Sequence, residues 1–187
     1  GYIEVDGKFY RFLGAESVDL KRKLAGSNGE MFEAVQKAVH VTATQTFVEL
    51  EAGGVKAIVV FSSPQLVDDT RSLDAAVNYV SYKTDGAEHS VSVHLALAST
   101  LVSTSTSNIT YTADMTTGVT IGRMGNTTQN MSENARPVCG HIAMMADTSH
   151  GQTVDNIGSA YLLFTDNLGT GTSGSGYTVV GRDEGAM

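Results

Sequence analysis

The residues of this chain best suited to chemistry are one thiol, five imidazoles and a short acidic run. Cys139 is the lone cysteine. Flanked by Val138 and Gly140 in an apolar segment, with only Arg136 and His141 as nearby cationic company, it reads as a buried structural thiol rather than a nucleophile, because a reactive thiol needs electropositive surroundings. The histidines stand at positions 40, 89, 94, 141 and 150, and no two share a face at a metal-ligand spacing. His40 and His94 each alternate with valines and leucines, so both read as solvent-side or sheet-packing residues. Asp68, Asp69 and Asp74 could offer hard oxygen ligands to calcium, but no EF-hand-like spacing follows and a solvated acidic loop after Pro64 is the simpler reading. Gly169, Gly171, Gly174 and Gly176 lie in a Ser/Thr tract, not between a strand and a helix, so they suggest a flexible loop over 168–176 rather than a phosphate cradle. Asn108, Asn126 and Asn130 open N-glycosylation triplets, which matter only in a eukaryotic secretory host. No catalytic, cofactor-binding or metal-binding residue is assigned from the sequence, and no cofactor is implied.

Composition bounds the scaffold that would position such groups. The chain has 187 residues, is 41% apolar and 17% charged, and carries a net charge of -8. One domain over 1–187 accommodates that length. Ser (17), Thr (21) and Val (20) are abundant, which leans toward sheet. With 20 acidic against 12 basic residues, binding to nucleic acid is not expected, and Lys21-Arg22-Lys23 reads as a solvated turn or helix end. A single cysteine cannot form an internal disulfide. No run approaches the ~18 apolar residues of a membrane span, so no membrane partner is expected. The Gly1 start in place of Met suggests a piece of a larger protein.

Hairpin signals then recur along the chain. Asp6-Gly7 joins the strand-like runs 2–5 and 8–13 through a primed turn. Residues 16–24 and 30–37 read as loop with about one helical turn. From Val39 alternation runs through Glu51, and Ala52-Gly53-Gly54 reverses it into Val55–Phe61. Asp85-Gly86 is expected to close a third hairpin between Ala76–Tyr82 and Val91–Leu97. Short strands follow at 109–112, 119–121, 138–146, 159–165 and 177–180. About ten strands with no intervening amphipathic helices predict an all-β fold, an antiparallel two-sheet sandwich rich in hairpins.

Several of these segments, taken together, resemble a known family. Gly1-Tyr2-Ile3-Glu4-Val5-Asp6-Gly7-Lys8-Phe9-Tyr10-Arg11-Phe12-Leu13-Gly14 resembles the "I-x-V-D-G-K-x-Y-R-F-x-G" segment of glutaminase A-like proteins of bacteria and fungi. Val41 to Thr46, Glu51 to Val55 and Phe61 to Asp69 are similar to the next segment of that family. Val77 to His89, with Thr84-Asp85-Gly86-Ala87-Glu88-His89, is similar to its "V-S-Y … S-T-D-G-K-E-H" hairpin. The resemblance covers residues 1 to about 98. It implies a non-catalytic N-terminal β-sandwich that packs on a helical catalytic domain of the same polypeptide, a parent that hydrolyses L-glutamine, and a secreted, periplasmic or cell-surface location. The alternative is a carbohydrate-binding or glycosidase-associated sandwich, which, without Trp, would place Tyr79, Tyr82 or Tyr111 under a sugar. A small hydrolase built on Cys139 and a histidine is the third reading.

Overall fold

In a computed structural model the chain folds as two stacked sheets. The structure describes residues 1–64, 77–86, 88–102, 109–126, 141–158, 160–171 and 173–183. Asp68, Asp69, Asp74, Asn108, Asn130 and Cys139 lie outside them.

The first hairpin forms as its turn chemistry dictates. Strands β1 (Tyr2–Val5) and β2 (Lys8–Arg11) pair antiparallel around Asp6 and Gly7, whose φ angles of 49° and 78° are those of a type I′ turn. The segment after it is more ordered than its mixed spacing suggests. Helix α1 (Val18–Ala25) is capped by Ser17, whose Oγ accepts the Leu20 N–H at 3.4 Å. Asp19 sits in its first turn and Arg22 and Lys23 in its last, each matching the helix dipole, which explains the short basic cluster. The helix returns the chain to strand β3 (Met31–Glu33), which runs parallel to β2. Leu20 then packs with Tyr2, Ile157 and Leu163 on the outer face of this sheet.

Strands β4 (Val35–Val41), β5 (Gln45–Ala52), β6 (Val55–Ser62) and β7 (Val77–Asp85) form consecutive antiparallel neighbours. The alternating run from Val39 to Glu51, expected as one strand, is therefore two. Thr42 makes the break: its Oγ1 accepts the Gln45 N–H at 3.0 Å, and its own N–H goes to the Gln45 carbonyl.

The largest departure concerns the expected third hairpin. Strand β8 (Ser90–Ala98) does not pair with β7. It lies in the other sheet between β1 and β13 (Tyr161–Thr170), while β7 lies between β6 and β14 (Ser173–Asp183). Asp85-Gly86 thus opens a corner between layers, and period-two alternation is equally consistent with a corner or a hairpin. Asp6 fixes that corner: Oδ1 accepts the Ser90 N–H at 2.9 Å and Oδ2 meets His89 Nδ1 at 2.6 Å.

The remaining strands are β9 (Ile109–Thr116), β10 (Val119–Asn126), β11 (His141–Asp147) and β12 (Thr153–Ile157). The first sheet has the order β12-β13-β8-β1-β2-β3 and the second β4-β5-β6-β7-β14-β11-β10-β9. The antiparallel sandwich is as expected, with fourteen strands among the described residues where about ten were expected. Stretch 168–176, expected as a loop, is the end of β13 and the start of β14, reversed at Gly171 with φ 97°. The core lies between the sheets: Ile3, Val93 and Phe164 from one meet Val55, Val59, Met124 and Met144 from the other, all at most 1% exposed. Burying side chains of this size stabilises the fold by about 1.5–3 kcal/mol each.

Candidate functional site

One file of side chains breaks the apolar rule of this core. On β13, Leu162, Phe164 and Asp166 alternate toward the second sheet and are 2%, 0% and 3% exposed. A carboxylate thus ends a run of hydrophobes, and burial without partners would be costly. Tyr82 reaches it from β7 of the opposite sheet, with Oη donating to Asp166 Oδ2. Gln152 Nε2 donates to the same oxygen at 2.9 Å. Burial, and then the Asp166 bond, raise the Tyr82 pKa above its ordinary value, so the phenol remains a donor.

Gln152 carries the network outward. Its Oε1 accepts the backbone N–H of Asp147 at 2.9 Å. Asp147 in turn accepts from Ser149 N at 3.0 Å and Ser149 Oγ at 2.5 Å, and its Oδ2 lies 2.8 Å from His150 Nδ1. These bonds, Ser149 first and His150 next, hold the Asp147 carboxyl below the usual range. Asp, Ser and His side by side suggest a catalytic triad only by composition. Ser149 Oγ and Asp147 both address the same ring nitrogen, Nδ1, whereas a triad needs the imidazole to bridge its partners through two different nitrogens. The group caps the single 3-10 turn Thr148–His150, closed by Gly151 in the left-handed region.

Glycine makes room for the buried carboxylate. Gly174 and Gly176 on β14 stand opposite Thr84 and Tyr82 on β7, so both face inward. A Cβ at Gly176 would collide with Asp166 Oδ2 and Tyr82 Oη, and one at Gly174 with the Leu168 side chain. A bulge between Asn167 and Gly169 bends β13 beside them, with Asn167 Oδ1 accepting the Gly169 N–H at 3.0 Å. The result is a cleft of about 690 Å³ between β13, β14 and the Asp147–Gln152 turn.

The histidines are dispersed. His94, on the outer face of its sheet, is buried at 5% exposure, with Nε2 3.0 Å from Glu4 Oε2, Nδ1 3.1 Å from Thr165 Oγ1 and the Phe9 ring 5.6 Å away. Sheet packing, one of its two expected roles, is the one it has. His40 lies tilted against Phe47 with ring centres 6.1 Å apart, His89 holds the layer corner, and among the described histidines His150 alone lines the cleft. Among the described residues no group of three His, Cys, Asp or Glu could hold a metal. Of the three tyrosines considered as sugar platforms, Tyr82 is buried and hydrogen-bonded and cannot serve, Tyr111 is half-buried against the core, and Tyr79 is exposed.

Asp166, Gln152 and the inward glycines escaped sequence reading, although the signal was present. Asp166 is in phase with Leu162 and Phe164, and glycines two apart on a strand share a face.

Comparison with known families settles where the chain belongs. A family model described as "Domain of unknown function (DUF5127)" matches residues 44–161, more than half of the chain. The chain is a member of the DUF5127 family. No curated protein matches it. The DUF5127 match runs from the turn before β5 to the first residue of β13, so it includes Tyr82, Asp147, His150 and Gln152. Asp166 and the β14 glycines that complete the cleft lie beyond the matched DUF5127 segment.

Proposed function

We propose that this chain is a non-catalytic accessory β-sandwich of a glutaminase A-like protein, docking through the outer face of its eight-stranded sheet on a helical domain of the same polypeptide. The observation that carries the reading is the apolar character of that face. Residues Ile58, Tyr79 and Tyr177 are 41%, 38% and 47% exposed, and all three alternate with core residues, so they point away from the sandwich. Strand register sets Phe47, Val60, Ser81 and Tyr177 in one row and Ser62, Tyr79 and Val179 in the next. Ile58 lies one row further on, between Glu49 and Lys83, so the apolar patch centres on Phe47, Val60, Tyr177, Tyr79 and Val179, and an exposed apolar patch is the usual mark of an interaction face. The resemblance of residues 1–98 to glutaminase A-like proteins supplies the occupant, a helical domain, and suggests export from the cytoplasm. The reading assigns no catalytic role to Asp147, Ser149 or His150, whose geometry is that of a cap.

The test mixes the purified chain with a separately purified helical domain of a glutaminase A-like protein. Complex formation by analytical ultracentrifugation, lost in the Ile58→Asp, Tyr177→Asp double variant, supports the proposal. No complex, or glutamine hydrolysis by the chain alone, overturns it.

A further inference from the structure

The geometry of the cleft points to a binding site for a small organic cation carrying a primary ammonium group, with Asp166 as its anchor. Asp166 is 3% exposed, yet no ion pair joins it to any cation among the described residues. Its two hydrogen bonds, from Tyr82 and Gln152, both fall on Oδ2. Oδ1 accepts none from the described residues, and Asp166 lines the cleft. Buried carboxylates are ordinarily matched by a positive charge as well as by neutral donors. Here the neutral donors are supplied and the charge is missing.

The surroundings fit an ammonium ligand. A volume of about 690 Å³ lies within the range of small-molecule pockets. Among the described residues neither Lys nor Arg lines the cleft; its titratable groups there are Tyr82, Tyr177, Asp147, Asp166 and His150. Asp147 adds a second negative charge toward the mouth, already held by Ser149 and His150. Gly174 and Gly176 let Leu168, Asp166 and Tyr82 pack directly against the β14 backbone, so the carboxylate is seated at the wall of the cleft with no β14 side chain beside it. A neutral polyol would bring hydroxyl donors to an acceptor that already has two neutral donors, and would leave the charge unmatched. The site involves inner-face residues, so it stands or falls separately from docking of the outer sheet face.

Isothermal titration of the whole chain at pH 7 and low salt, with n-butylammonium chloride, D-glucosamine and D-glucose as probes, tests the inference. Saturable binding of both amines and none of glucose is expected. Asp166→Asn, which keeps the shape and removes the charge, is expected to weaken amine binding at least tenfold with an unchanged far-UV circular dichroism spectrum. His150→Lys, at a side chain 76% exposed and with folding checked by the same spectrum, is expected to weaken it several-fold, with the difference shrinking as salt is added. Should Asp166→Asn fail to fold, the His150→Lys result decides. Glucose binding as tightly as glucosamine, absence of saturable amine binding, or full affinity in a folded Asp166→Asn protein or in His150→Lys would each overturn the proposal.

Discussion

Tyr82 and Asp166 join the two sheets by a polar bond in a largely apolar layer, and the cost of breaking it falls on the carboxylate. In Tyr82→Phe the ring that packs 6.4 Å from Phe164 is kept, while the buried acid loses one of its two donors. Leaving a buried group short of a partner costs about 1–3 kcal/mol, so urea unfolding should show that loss of stability as a lower midpoint at unchanged slope. Asp6 behaves differently because it is exposed. Its carboxyl is held below the ordinary value of 3.8, first by His89 and next by the Ser90 amide. A lowered folded pKa means stabilisation that is complete above the unfolded value and disappears as pH falls through the folded one. Acid unfolding of Asp6→Asn, followed by circular dichroism, should therefore differ from the parent above pH 4 and converge with it in stronger acid.

Among the elements, β14 depends closely on residue size. Gly176→Ala adds one methyl group where Asp166 and Tyr82 already stand, and overpacking of this kind costs about 1–3 kcal/mol. Thermal unfolding of Gly176→Ala should show the loss, and amine binding should fall with it as Asp166 is pushed from its place. Such β14 behaviour was invisible in a Ser/Gly/Thr tract, whose composition alone looks like a linker. Pairing of 173–181 with β7, together with pairing of 180–183 with β11 further along, makes it a strand, and tertiary partners override weak local propensity. Where turn chemistry is self-contained, as at Asp6-Gly7 or Gly53-Gly54, the sequence was sufficient. It failed at Asp85-Gly86, because a turn signal reports that the chain bends and not which neighbour the next strand will choose. Thr42 was missed for the opposite reason, as a break made by side-chain hydrogen bonds inside an unbroken alternation. Periodicity had assigned one face of β8 to the core, yet Ser92 and His94 on its other face are also buried, under contacts from Glu4, Thr165 and Phe9 that come from distant segments.

Across the whole molecule, protection should follow this layering. Strand β8 is central in its sheet and buried along most of its length, whereas every residue of β4 is exposed and only one edge is paired. Native-state hydrogen exchange should find the slowest amides in β8 and the fastest strand amides in β4; equal protection of the two would contradict the layering. Strand β4 also carries an apolar edge, with Val35, Val39 and Val41 each at least 47% exposed. Lys37 and a bulge between Gln36 and Ala38 blunt it against strand addition. The pairing of β1 with β8 has a temporal consequence. Glu4 and His94 are 90 residues apart in the chain, so the amino-terminal hairpin has no partner on its β1 edge until the middle of the protein has been made. At about 5–20 residues per second, the ribosome leaves that edge open for roughly 5–20 s. Nascent chains arrested before residue 90 should therefore associate, and chains released beyond β8 should not, which places the most vulnerable moment in the life of this protein before its first sheet can close.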